Sequence, residues 1–258
     1  MSAERHAHYT AAMAAPPLAP DQPDALTAYY RSGERLRSRS VGAAVPNATL
    51  ALPPLPARLV ADWEREMTQH MALEAGDVEP LPLARARARW PDFRQVLQAM
   101  AQWTDTLGLA GVLADAEMAL MACRGARYHH DAAHYGAAAF CNLFVGEDKG
   151  LDVHFPLAGQ RIALRRGTAL LFDTAQPHAV VPRGSSRFDA ADFAPGRDCS
   201  QYFLSWELPI EQPAVARLLQ LRFDVAAQAA AQLDAPQLRQ HGRAGAPCPL
   251  SGRWVTSV

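Results

Sequence analysis

The sequence has almost no lysine, no clustered cysteine, no long apolar run and almost no net charge. Lys149 is the one lysine among 25 basic residues, and beside abundant alanine and arginine this reads as coding bias and not as chemistry. Cys123, Cys141, Cys199 and Cys248 are far apart and make no Cys-x-x-Cys pair. Neither a disulfide framework nor a zinc ribbon is therefore indicated, and small buried hydrophobes in a reducing compartment are the simpler reading. No apolar stretch approaches the roughly 20 residues that a bilayer-spanning helix needs, and the N-terminus lacks the charged-then-apolar order of a signal peptide. A soluble, cytoplasmic protein with no membrane partner is expected. A formal charge of −1 sets up no global field toward polyanions, so no nucleic-acid partner is expected either.

What is present is enough chain, 258 residues, for one substantial domain with appendages. Residues 1–50 are rich in Ala and Pro, with Pro16, Pro17, Pro20 and Pro23 crowded together, a composition that resists helix and strand alike. They read as an arm, and the basic run Arg31, Arg35, Arg37, Arg39 within it reads as solvated surface. Residues 51–111 read as a helical support region. Leu59, Val60, Trp63, Met67 and Met71 repeat at helical spacing after Pro56, and Phe93, Val96, Leu97, Met100, Trp103 and Leu107 repeat in a second helix that Gly108 ends. These stripes are core contacts against a sheet.

After Gly111 the period changes. Residues 116–123, 137–145, 151–155, 161–164, 168–172, 178–181 and 200–208 have the length and alternation of strands, separated by turns at Gly125, Gly150, Gly159 and Gly167. Short strands in such succession indicate a double-sheet jelly roll or barrel over residues 112–210. A C-terminal helix begins near Pro213, and residues 211–258 otherwise carry no pattern. The fold class expected is mainly β with flanking α-helices.

Within the strand-rich part, Tyr128-His129-His130-Asp131 is answered by Gln176-Pro177-His178. Two histidines and one carboxylate are the set that leaves open positions on an octahedral ferrous ion. His129 and Asp131, two apart on an extended segment, point to one side while His130 points away. His130 and His134 read as hydrogen-bonding or surface residues. His154 alternates with Val153 and Phe155 and is a candidate substrate contact, and Asn142 a candidate co-substrate contact from the core sheet.

These parts, in this order, resemble the iron(II) and 2-oxoglutarate dependent dioxygenases. The resemblance runs from Ala116 to Leu208 through Cys123 to Tyr128, the His129-His130-Asp131 motif, the turn at Gly150, and the run from Arg166-Gly167 to Asp173 that leads into Pro177-His178. It implies a double-stranded β-helix (jelly roll, cupin-like) with Fe(II) held by His129, Asp131 and His178. It further implies 2-oxoglutarate and O2 as co-substrates, with hydroxylation or another oxidation of an unactivated C–H and release of succinate and CO2. An arginine near the last core strand is implied for the far carboxylate of 2-oxoglutarate. Arg197, directly before that strand, is favoured over Arg187, since a fixed guanidinium pairs best with a carboxylate. Asp131 speaks against halogenation, although His130-x-Ala132 or His134-x-Gly136 would fit a shifted register of that kind.

Two rivals stand beside this reading. The Gly167 to His178 run is also similar to the second motif of cupin-type metal enzymes, which use no 2-oxoglutarate, and a non-catalytic β-barrel binding protein would share the fold. The substrate expected is a small molecule, such as an amino acid or a metabolite. The helices of residues 56–108 and the loop 183–198 are expected to cover the site mouth.

Overall fold

The computed structural model describes residues 26–256, except residues 72 and 195. In chain order the elements are β1 (Leu26–Ser32), β2 (Arg35–Ser40), β3 (Asn47–Thr49), α1 (Ala57–Arg65) running into a π-helical turn (Glu66–Met71), β4 (Val78–Leu81), α2 (Leu83–Arg89) and α3 (Phe93–Thr106). There follow β5 (Glu117–Cys123), β6 (Ala126–His129), the single turn α4 (Ala132–Tyr135), β7 (Ala138–Phe144), β8 (Leu151–Phe155), β9 (Gln160–Leu164), β10 (Thr168–Asp173) and β11 (His178–Pro182). A 3₁₀ turn (Ala190–Phe193) precedes β12 (Gln201–Pro209), and the chain continues through α5 (Pro213–Leu218), α6 (Ala227–Ala230), β13 (Gln237–Gln240), β14 (Arg243–Pro247) and β15 (Trp254–Thr256).

The protein is mainly β, in antiparallel sheets. One sheet has the order β3-β10-β7-β12-β5-β4 and a second β6-β11-β8-β9. They face one another: the ring of Phe155 on β8 lies 5.3 Å from that of Phe172 on β10, and His178 on β11 lies 4.8 Å from the same Phe172 ring. Along β7 and β12 the residues alternate as the pleat requires. Phe144 and Phe203 enter the core between the sheets, while Cys141, Leu143, Tyr202, Leu204 and Trp206 enter a second core under the helices.

That second core is where the helices belong. Leu59, Trp63 and Met67 are buried there, and the Trp63 ring lies 5.0 Å from Tyr202 and 5.8 Å from Trp90. In α3 the buried residues Phe93, Val96, Met100 and Trp103 follow a helical period, and Gly108 closes the helix at φ 76°, a conformation that glycine adopts without strain. Each large side chain so buried is worth about 1.5–3 kcal/mol. The helices thus cover the outer face of the larger sheet and not the mouth of the site. The loop 183–198 is also placed elsewhere. Phe188 and Phe193 stack with centroids 5.4 Å apart, and a side chain at Gly125 would strike the Phe193 ring at 2.5 Å. This loop therefore closes over the β5–β6 turn, at the end of β6 away from His129.

Two regions depart from the sequence reading. Residues 26–40 were expected to resist strand formation, but they form the β1–β2 hairpin around Gly33. The tail without a visible pattern supplies β13, β14 and β15, and the five strands make a third sheet, β15-β14-β13-β1-β2. The hairpin is stabilised by a partner about two hundred residues away in the chain, with Leu26 opposite Gln240. The C-terminal helix stops at Leu218, short of its apolar period, where Gln220 turns to φ 58°. Cys123, Cys141 and Cys199 are buried free thiols and Cys248 is half-buried.

Candidate metal centre

His129 is the last residue of β6, and His178 the first of β11; the two are cross-strand partners. Directly opposed residues of a sheet share a face, and the ring centroids stand 4.4 Å apart. A bulge between His178 and Val180 lets Ala126 and His129, three apart, occupy the same inner face. Asp131 is not on the strand, as the extended-segment reading had it. It opens α4, with φ −104° and ψ 6°, and its side chain turns back between the imidazoles. Asp131 Oδ1 lies 3.7 Å from His129 Nε2 and Oδ2 3.7 Å from His178 Nε2. One ligand-type atom from each of the three residues lies within 4.8 Å of the others.

The tautomers follow from the other ring nitrogens. His129 Nδ1 is 2.7 Å from the Arg127 carbonyl, and His178 Nδ1 is 2.9 Å from the Gln176 carbonyl. A carbonyl oxygen only accepts, so each Nδ1 carries the proton and each Nε2 keeps its lone pair toward the Asp131 carboxylate. Burial holds His178 well below the ordinary histidine pKa, with His129 adding to the effect. Burial raises Asp131, against the pull of His129, His130 and His134. Burial also lowers His130, whose Nδ1 is buried without a partner.

The loop that delivers His178 is cross-linked from behind. Asp173 ends β10 as a fully buried carboxylate, and Arg39 of β2, equally buried, grips it with two bonds of 2.6 and 2.7 Å. The backbone amides of Gly42 and Ala175 donate to the same carboxylate, and Arg39 also donates to the Gly136 carbonyl, just past α4. Thr174 Oγ1 lies 2.7 and 2.8 Å from the carbonyls of Tyr135 and Ala138, which share its one proton, while the Asp131 amide donates to the Thr174 carbonyl at 2.8 Å. One buried ion pair thus ties the Asp131 turn to the His178 loop. Arg39 was read as solvated surface and given no role; it is the buried centre of this network. The available signal was Asp173, a carboxylate ending the apolar run Ala169 to Phe172.

The other expected site residues fall elsewhere. His154 pairs with Ala179, next to His178 on β11, and so faces the opposite side of the sheet. There its Nδ1 is 2.6 Å from the Tyr128 hydroxyl, and Gly252 of the C-terminal segment packs on Tyr128. A substrate role for His154 is not supported, because alternation gives the inner face to Val153 and Phe155. Arg197 is exposed and lines a cavity of about 410 Å³ with Glu64, Thr68, Arg124 and Asp198, outside the space between the sheets. Arg187 is exposed in the loop, its backbone held by Ser185. The turn at Ala190–Phe193 draws this whole segment outward. Asn142 does face inward, opposite Ser205 of β12 and Leu170 of β10.

Neither a family model nor a curated protein matches the sequence. Among solved structures, a prolyl-4-hydroxylase of Pseudomonas putida is similar at 18% identity and TM-score 0.36, over 64% of this chain and 92% of that one. Among the described residues, no helix is long and apolar enough to cross a membrane.

Proposed function

We propose that the protein is a mononuclear non-haem iron(II) oxygenase of the 2-oxoglutarate-dependent type, oxidising a C–H bond of a small molecule. The observation that carries this is the pair of histidines whose Nδ1 protons are both committed to backbone carbonyls, so that both Nε2 atoms converge on one carboxylate. The strand orders of the two facing sheets support a double-stranded β-helix. His129, Asp131 and His178 would hold the metal, and the donor set suits iron: two imidazoles and one carboxylate on one side, the remaining positions open. Bound iron would supply dioxygen activation. The carbonyls of Arg127 and Gln176 orient the rings and raise their basicity. Phe155 and Phe172 pack against His178 and keep water from its inner side. Arg39 and Thr174 hold the two loops in register.

A 2-oxo acid chelating the metal would need a place for its far end. Neither Arg197 nor Arg187 reaches the space between the sheets, so the ion-paired carboxylate implied by the resemblance does not fit. That observation favours, as a second reading, a cupin-type metal enzyme without 2-oxoglutarate. The two separate in one assay. With iron(II) and oxygen, formation of succinate and CO2 from 2-oxoglutarate supports the first, and its absence in metal-loaded protein supports the second.

A further inference from the structure

Among the described residues, no arginine or lysine occupies an inward position of the eight strands β5 to β12. Arg161 on β9 pairs with His154 and so lies on the outer face. Arg127 on β6 pairs with Asp77. Arg124, just past β5, gives its guanidinium to the carbonyls of Phe193 and Ala194, and Arg39 is taken by Asp173.

What faces inward is of different chemistry. Ala119, Ser205, Asn142 and Leu170 form a row across β5, β12, β7 and β10, next to the row containing Phe140 and Phe172. Asn142 is 7% exposed and its amide oxygen has no hydrogen-bond partner; an amide so weakly tied can turn its NH2, the only part of it that donates, toward an incoming oxygen. On the Phe140 row, Glu117 and Glu207 stand directly opposed. Burial, then Glu117, pushes the Glu207 carboxyl up. A carboxylate brought into this space would leave water without a counter-ion and have the half-buried Glu207 and, at the exposed rim, Glu117 as its charged neighbours on the next row, and both effects oppose binding.

Resting on the oxygenase reading above, we propose that the far end of the 2-oxo acid is held by the Asn142 amide and the Ser205 hydroxyl, without an ion pair. The site therefore takes 2-oxo acids with uncharged polar tails about as readily as 2-oxoglutarate. Hydrogen bonds from these neutral donors contribute about 0.5–1.5 kcal/mol each to an uncharged tail, roughly twofold to tenfold in affinity; the stronger bonds that a carboxylate accepts are offset by its own desolvation, because no cation is there to pair with it.

The test is anaerobic titration of the iron(II)-loaded protein with 2-oxoglutarate, its 5-methyl ester and 2-oxopentanoate, following the visible metal-to-ligand band. The ester is expected within about tenfold of 2-oxoglutarate, and 2-oxopentanoate, which lacks both tail bonds, within about a hundredfold. Asn142→Ala should weaken 2-oxoglutarate and the ester about fivefold and leave 2-oxopentanoate, which has no polar tail, unchanged. A preference for 2-oxoglutarate over its ester beyond about tenfold overturns the proposal, and loss of that preference in Arg197→Ala or Arg187→Ala identifies the cation. If iron binds and none of the three acids does, the co-substrate reading falls and this inference with it. If iron itself does not bind, the oxygenase reading fails at its first step.

Discussion

The two halves of the space between the sheets are built by opposite means. At the His129–Asp131–His178 corner, buried charge and backbone hydrogen bonds hold the side chains and their loops: Arg39 on Asp173, Thr174 on the Tyr135 and Ala138 carbonyls, the Asp131 amide on Thr174, and His129 and His178 each on a carbonyl. One strand over, Phe144 stacks on Phe203 at 4.9 Å, and the amide oxygen of Asn142 has no partner. The corner is preorganised at the expense of desolvating ions; the interior beyond it is adaptable and, among the described residues, holds no cation. A site that must present three ligands to one ion needs the first construction, and a cavity that must admit an organic molecule is served by the second.

Breaking the corner should have the largest effect. Arg39→Met leaves Asp173 buried and unpaired, which costs about 3–5 kcal/mol, read as a fall in the urea midpoint. Its metal affinity should fall as well, by about 10–100-fold, because Arg39 holds both ligand loops. If the protein is destabilised while metal affinity is kept, Arg39 supports the fold alone. Metal should strengthen the same corner. At a hundred times the dissociation constant it adds about 2.7 kcal/mol, or roughly 5–10 °C in Tm for a chain of this size, and this gain should vanish in His178→Ala.

Thr174→Val removes the hydroxyl shared by the Tyr135 and Ala138 carbonyls and should cost about 1–3 kcal/mol. Asn142→Leu, beyond the corner, should leave thermal stability unchanged or raise it, since its amide oxygen has no bond to lose. That contrast sharpens the comparison, and a loss at Asn142 as large as at Thr174 would erase it. The smallest effect is one of pH. Burial, then Arg161, lowers His154 below the ordinary value of 6.5, so the unfolded chain takes up a proton first as pH falls. Stability is therefore lost between about pH 6.5 and the lower folded value, and is level above. His154→Gln should remove its share of that slope in urea midpoints measured from pH 5 to 7, the rest coming from His178 and His130.

The cluster of His129, Asp131 and His178 was legible because its residues sit on local pattern: His129 and Asp131 are two apart, and His178 follows an apolar run and a proline. Period-two alternation placed β5, β7, β8, β10 and β12 within a residue or so of their observed ends. It also held the information that His154 and His178 lie on opposite faces, but only with the pairing of His154 to Ala179 known. Arg39 was hidden for a different reason. A guanidinium reads as surface until its carboxylate is known, and Asp173 lies far along the chain. Arg197 was misplaced because adjacency to β12 says nothing of the side on which a loop leaves the sheet, which Phe188 and Phe193 decide by burying themselves beside Gly125.

The central claim is that His129, Asp131 and His178 form one metal site. Anaerobic calorimetric titration with iron(II), on the wild type and on Asp131→Ala, tests it most directly. One ion per chain in the wild type, with affinity reduced by more than about a hundredfold in the variant at unchanged far-ultraviolet circular dichroism, is the predicted result. Retention of wild-type affinity by Asp131→Ala, or a folded wild type that binds no iron, would contradict it.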